Sequence, residues 1–443
     1  MLAQEVLRMD TNHESMRGFL LRKSPPVMLA LLIQSVYNIA DSYFVAKTSL
    51  AALTALSIFF PVQLLMTALS TGIGTGIGIL IARAAGEGLE ENGRTYAGNG
   101  LLLSLMHFLL FTGTALCMLR VFYCVSSADP EVREAGMIYG RIVLVGSAGL
   151  FIESACTKVL QARGNMLLPM AAQIVGAGLN IMLDPLMIFG VGIFPEMGVR
   201  GAALATIIGQ WAAMTVVLVP LLRERYMALK LRRRSIMEIY RSSVPSILMQ
   251  SLYTVYIIGL NLILKQFGDE AVTVLGIYYK LQTFFFIPLM GLQQSLLPLI
   301  SFCHGRNNAA GKAEALKTAI ILSETTMFTG MIIFMLFPGR MMTLFSADST
   351  MTVIGRYALR VISISFLPAG LTMMLTIYFQ GTDNGKLSII VTMLRQVILL
   401  VPVAWVLSHI SLNAVWWTFP IAELITAVCS VALMLMTGRF CSI

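Results

Sequence analysis

Charge is what this chain has least of. Asp, Glu, Lys and Arg together make up 12% of its 443 residues, about half the share usual in a soluble domain. Such scarcity excludes an ordinary water-solvated surface. Histidine is rarer still: His13, His107, His304 and His409 stand far apart, so no metal set or nucleophile–base cluster is offered and an enzyme is not expected. The six cysteines follow no metal or disulfide spacing, and most fall in apolar stretches where they read as small apolar residues. No phosphate-binding loop ending in Gly-Lys-Ser/Thr occurs, which disfavours an ATP-driven pump, and no cofactor is expected. The run Gly72-Ile73-Gly74-Thr75-Gly76-Ile77-Gly78 lies in an apolar stretch with no strand before it, so it predicts close helix contact, not nucleotide binding. A cleavable leader is not expected either: the polar start, with Asp10, Glu14, Arg17, Arg22 and Lys23, runs directly into a long apolar segment.

What is abundant is apolar length. The chain is 57% hydrophobic with a mean hydropathy of +0.81. Uncharged stretches of about 20 residues recur, each long enough to cross roughly 30 Å of hydrocarbon as a helix. Twelve are predicted, at 24–46, 51–82, 95–119, 137–162, 167–192, 201–222, 244–264, 272–302, 315–338, 357–381, 387–409 and 413–436. Of the 31 Lys and Arg, twenty fall on the side that holds both termini. This bias predicts a multi-pass protein of a bacterial-type inner (cytoplasmic) membrane with both termini in the cytoplasm. The net charge of +9 is concentrated between Arg223 and Arg241, around Lys230-Leu231-Arg232-Arg233-Arg234. That run predicts a cytoplasmic linker lying against anionic headgroups, with no nucleic-acid partner.

The first half of the chain reappears in the second at an offset of 219 residues. Ser24, Pro26, Tyr37, Thr54, Gln63, Gly72 and Gly86 fall on Ser243, Pro245, Tyr256, Thr273, Gln282, Gly291 and Gly305, and further on Gln161 and Asn165 fall on Gln380 and Asn384. Six spans return the chain to its starting side, so the halves insert in the same sense. The expected fold is an all-α integral membrane protein of twelve transmembrane helices, in two six-helix lobes related by a pseudo-twofold axis along the membrane normal. The predicted divisions are a cytoplasmic N-terminal segment 1–23, an N-terminal lobe 24–222, a basic linker 223–243, a C-terminal lobe 244–437 and a cytoplasmic tail 438–443. A duplicated carrier opening alternately to each side fits this plan better than a channel or scaffold.

Charged side chains inside spans are costly and normally face a partner or a wet cavity. The candidates are Asp41, Glu153, Asp184, Lys280, Glu324, Arg395 and Glu423. Gln34, Tyr37 and Asp41 are spaced i, i+3, i+7 and share one face of the first span. In the fifth span Asn180 lies one turn before Asp184, and Pro185 frees a backbone carbonyl near that turn. Two carboxylates in a low-dielectric pocket do not both ionise readily, so the pair is expected to share a proton or neutralise a bound cation. Neither acid repeats: Asp41 falls on Leu260, and Asp184 on Val403, or on Val401 if Pro185 is matched to Pro402. Glu153, Glu324 and Glu423 lie nearer span ends or lack a polar face, and are expected to be structural or to sit at the lipid interface.

These motifs resemble the multidrug and toxic compound extrusion (MATE) family. The resemblance rests on Pro26, Gln34 to Asp41, Ala55-Leu56-Ser57 with Pro61, and Gly72, Gly76, Ala82 and Gly86. It continues through Leu160 to Asn165 with Pro169-Met170, Asn180 to Gly190, and Gly198 to Thr206. It covers nearly the whole chain, and within the family is most similar to the MepA-like multidrug exporters. The resemblance implies a monomeric twelve-helix antiporter exchanging small cationic, lipophilic compounds for H+ or Na+. It implies a coupling site at Asp41, Asn180, Asp184, Thr206 and Ala202, of which the first four would hold Na+, and a substrate cavity at Gln34, Tyr37, Asn38 and Gln161. A branch that carries acids in spans seven and ten is not matched, because those positions fall near Tyr253 and Ala369. A lipid or lipid-linked saccharide flippase of the same superfamily is the alternative; such proteins use a basic cavity, whereas the span charges here are chiefly acidic.

Overall fold

Many helix ends in the two halves of the chain fall at matching repeat positions. The computed structural model describes residues 16–228, 230–343 and 349–436. In the first half lie α1 (Met16–Ala46), α2 (Leu50–Gly86), α3 (Glu90–Ser126), α4 (Pro130–Gly146), α5 (Ala148–Ala162), α6 (Leu167–Phe189) and α7 (Val199–Arg223). In the second lie α8 (Arg233–Lys265), α9 (Asp269–Gly305), α10 (Ala309–Leu336), α11 (Pro338–Thr343), α12 (Ser349–Ser363), α13 (Phe366–Gly381) and α14 (Gly385–Met393). A π-helical turn (Leu394–Leu399) then leads into α15 (Leu400–Ser408), α16 (Leu412–Val415) and α17 (Thr418–Met436). Both ends of α2 map onto both ends of α9 at the offset of 219, the repeat distance read in the sequence.

Among the described residues, ten helices are long and apolar enough to cross a membrane, and two bent pairs bring the number to twelve when each pair is one span. The pairs are α4 with α5, bent by 42°, and α12 with α13, bent by 47°. Their breaks, at Ser147 and at Ile364–Ser365, fall within two residues of the same repeat position. At the first break the Trp211 indole N–H donates to Gly146 O (2.9 Å) and the Thr112 hydroxyl donates to Leu144 O (3.1 Å), so carbonyls freed by the bend find side-chain partners.

The chain divides into two compact units, one of Leu29–Ile247 and the other of Leu248 onward together with the first part of α1, up to Met28. The exchange of helix starts explains half of the glycine run. A Cβ on Gly72 would stand 2.4 Å from Ile247, and one on Gly76 would stand 2.1 Å from the Ser243 hydroxyl, both in the start of α8. Gly74 and Gly78, on the other face, lie against Ser154 and Lys158 of α5. The second unit repeats the contact, with Gly291 against Met28. The first unit's core is aliphatic around Ile77, Ile81, Val159 and Val217, with Phe59, Tyr139 and Phe151 in a second cluster. The second unit has aromatic rings packed edge to face, with Phe334 against Phe366 at 5.1 Å and Tyr278 against Phe419 at 5.5 Å.

The basic run is bound to protein more closely than the sequence suggested. From Arg233 onward it is already the start of α8. The loop before it is strapped to α3: the Ala228 N–H donates to Arg94 O (3.0 Å), the Asn99 amide donates to Lys230 O (2.8 Å), and the Arg232 N–H donates to Asn99 Oδ1 (3.3 Å). Burial pushes the Tyr226 hydroxyl above its ordinary acidity range, and the Arg163 guanidinium stacked 4.0 Å from its ring acts in the opposite direction.

Candidate coupling and substrate site

Close backbone approach between α6 and α7 builds the first part of the site. A Cβ on Gly209 would stand 2.6 Å from Gly176 O, so the two helices touch main chain to main chain and bring Asn180 to Thr206. With its nitrogen turned toward the acid, the Asn180 amide donates to Asp184 Oδ2 (3.1 Å) and accepts from the Thr206 backbone N–H (3.1 Å). The Thr206 hydroxyl donates to Ala202 O (3.0 Å). Asp184 is fully buried, and its Oδ1 has no hydrogen-bond partner. Pro185 follows inside α6; without an N–H it leaves a carbonyl one turn back unbonded.

The second part comes from α1, where Gln34, Tyr37 and Asp41 share a face. Asp41 Oδ1 is also buried without a partner. Asp41 and Asp184 lie within electrostatic range of each other, and the hydroxyls of Tyr37 and Tyr139 lie within range of both. Tyr139 in turn accepts from the Gln63 amide (3.2 Å). In a medium of low dielectric such unpaired carboxylate oxygens interact far more strongly than in water.

Beside the acids is a cavity of about 80 Å³. Its polar lining comes from Gln34 and Tyr37 of α1, Glu153 of α5, Gln173 and Asn180 of α6, and Thr206 and Gln210 of α7. Helices far apart in sequence thus converge on one polar chamber inside the first unit. A larger groove of about 860 Å³ runs along α2 and α3, but its lining is apolar apart from His107, Thr114 and Ser126. It has no carboxylate and no chemistry to couple.

The structure brings Asp41, Asn180, Asp184, Thr206 and Ala202 together, and sets Gln34 and Tyr37 on the cavity wall. Two residues assigned to the cavity from sequence stand outside its lining. Asn38 is exposed, being turned about 100° from Tyr37 around the helix. Gln161 is buried and accepts from the Lys158 ammonium (2.9 Å).

Glu153 is the reverse case. Expected to be structural, it lines the cavity, accepting at Oε1 from the Thr157 hydroxyl (2.7 Å) and the Gln173 amide (3.2 Å). A signal was present: Glu153, Thr157 and Gln161 are spaced by four and make a polar stripe along one face. Glu423, expected to be structural or to sit at the lipid interface, is buried, and Arg395 Nε donates to its Oε1 at 2.6 Å.

A family model described as MatE matches residues 26–186 and 245–406, one stretch in each half of the repeat. The chain belongs to the MatE family. Like other MatE proteins it is a multi-pass membrane transport protein of twelve spans in two lobes. Multidrug export protein MepA of Staphylococcus aureus is 25% identical over 431 residues, covering 93% of this MatE chain and 91% of its own length. The FAD transporter of Shewanella oneidensis is 22% identical over 423 residues, covering 92% of each. A solved outward-facing multidrug resistance MATE family transporter of the MOP superfamily superposes with a TM-score of 0.89 at 26% identity, covering 96% of both chains.

Proposed function

We propose that this MatE protein is a secondary antiporter that exports cationic, lipophilic compounds in exchange for H+ or Na+. The observation that carries the reading is the pair Asp41 and Asp184. Each presents a buried, unpartnered oxygen beside a polar cavity, and both repeat counterparts are apolar. The pair takes up a proton or Na+ from outside. Asn180 and Thr206 offer further oxygens, a donor set of the hard kind that suits Na+ as well as a proton. Loading the pair removes negative charge beside α1, which repacks. Because Gln34 and Tyr37 on that helix line the cavity, repacking there expels the bound compound. Ion and compound thus compete, and no ATP is needed. The protein works as a monomer in the inner membrane, with both termini in the cytoplasm.

The relatives named for multidrug export support this reading. The alternative, a flippase or a carrier of a phosphate-bearing molecule, requires a basic cavity; the one ionisable lining residue here is Glu153, with Asp41 and Asp184 nearby. The test is ethidium efflux from proteoliposomes under an imposed proton gradient and, separately, a sodium gradient. Wild type exports under at least one of them. Asp41→Asn and Asp184→Asn each lower gradient-driven efflux by about 100-fold, the effect of a coupling free energy near 3 kcal/mol. Export by both variants at the wild-type rate would place the coupling site elsewhere.

A further inference from the structure

Glu153 is the carboxylate in the cavity lining, and the coupling reading leaves its chemistry unused. It is 7% exposed. Both of its hydrogen bonds, from Thr157 and Gln173, fall on Oε1, so the carboxylate is fixed in orientation while Oε2 accepts none. Among the described residues, no Lys or Arg forms an ion pair with it. Lys158 lies within electrostatic range, and its ammonium donates to Gln161. In the lining of the same cavity, Gln210 Oε1 is buried without a partner. A buried acceptor left open in this way calls for a donor, because an unmade hydrogen bond at low dielectric is costly.

Size narrows the ligand. A cavity of about 80 Å³ is far smaller than the roughly 300–1,000 Å³ that encloses a whole drug. It takes a head group, with the apolar remainder outside. A planar cation with several N–H bonds matches a fixed carboxylate and an open amide oxygen in one lining. A quaternary ammonium is bulkier and donates nothing.

We propose that this cavity is the seat for an amidinium or guanidinium head group, with Glu153 as the residue that selects it. The assignment rests on the exporter reading above and adds a substrate class to it. Asp41 and Asp184 hold the ion, and Glu153, on a different helix, holds the substrate's N–H cation.

The experiment compares biphenyl-4-carboxamidinium with biphenyl-4-yl-trimethylammonium, equal in charge and in ring system. Binding is measured by calorimetry on protein in nanodiscs, and export by efflux from proteoliposomes. Wild type prefers the amidinium by about tenfold or more. Glu153→Gln brings the preference below about threefold, and Glu153→Asp retains part of it. A merely structural Glu153 would lower affinity for both probes alike, together with the melting temperature, and that outcome overturns the assignment. So does a wild type that exports both probes without preference, or a Glu153→Gln variant that keeps the preference; either leaves the exporter reading standing. If wild type binds and moves neither probe, the exporter reading fails, and this inference with it.

Discussion

Gly98 and Asn99 of α3 hold the loop before α8 by two different means. Asn99 uses both ends of its amide, donating to Lys230 O and accepting from the Arg232 N–H. Gly98 contributes by having no side chain: a Cβ there would stand 2.1 Å from Ala228 O, a backbone atom that cannot swing aside. Gly98→Ala is therefore expected to cost about 1–3 kcal/mol, the usual range for overpacking, seen as a lower melting temperature in detergent. Gly113→Ala in the same helix is the control. A Cβ at Gly113 meets nothing within 4 Å, and removing a helical glycine is neutral or stabilising by up to about 1 kcal/mol. Equal losses in both variants would show that the loop contact does not matter. At this scale the sequence was legible where polar residues share a turn with an acid, as in Gln34–Tyr37–Asp41 and Asn180–Asp184. It was less legible for Glu153, whose only neighbours on its own face are Thr157 and Gln161. The partners that make it part of a cavity, Gln173 and Gln210, lie on other helices, and no local spacing reveals them.

Spans are interrupted where a helix must serve two directions, and the eleventh shows the energetic consequence. Between α14 and α15 the turn Leu394–Leu399 widens into π geometry, a rare form that re-aims side chains. Arg395 stands in this turn and meets Glu423 of α17 at 2.6 Å, with side-chain exposures of 21% and 5%. Glu423 Oε2 has no partner, so the bridge is a single contact and not a two-pronged fork. Two charges removed from water in this way gain little over an apolar pair, but either one alone is a heavy penalty. Arg395→Met is accordingly expected to lower stability by about 3–5 kcal/mol, whereas Arg395→Met combined with Glu423→Met returns to within about 2 kcal/mol of wild type. Thermal unfolding in detergent distinguishes the two; a double variant as unstable as the single one would mean that the pair is needed for more than mutual neutralisation. The sequence marked both residues as unusual charges within spans. It could not pair them, because 28 residues and a helix turn of altered pitch separate them.

For the whole molecule, the twelve spans and the repeat were legible because apolar length and a constant offset survive without knowledge of packing. The broken fourth and tenth spans were not, since Ser147 and Ser365 are unremarkable in an apolar helix and the bend is settled by distant partners such as Trp211. Asymmetry between the halves was legible in Asp41 against Leu260, and it sets a limit on the charge moved in each transport cycle. The second unit places a self-neutralised Arg395–Glu423 pair in its spans, with apolar residues where the first unit has Asp41 and Asp184. If two neighbouring carboxylates share one proton, as mutual repulsion favours, the pair carries one negative charge and loads one H+ or Na+. Exchange against a monovalent cation is then electroneutral. Each net charge moved across 100 mV contributes about 2.3 kcal/mol, close to 50-fold in an accumulation ratio. Clamping proteoliposomes at about 100 mV with valinomycin and potassium, at a fixed ion gradient, is therefore expected to change the steady-state ratio of a monovalent substrate by less than about threefold. A change near 50-fold would mean that Asp41 and Asp184 load separately, two ions to each compound. In that case Asp184→Asn should slow export and make it electroneutral, because the remaining acid, Asp41, exchanges one charge for one.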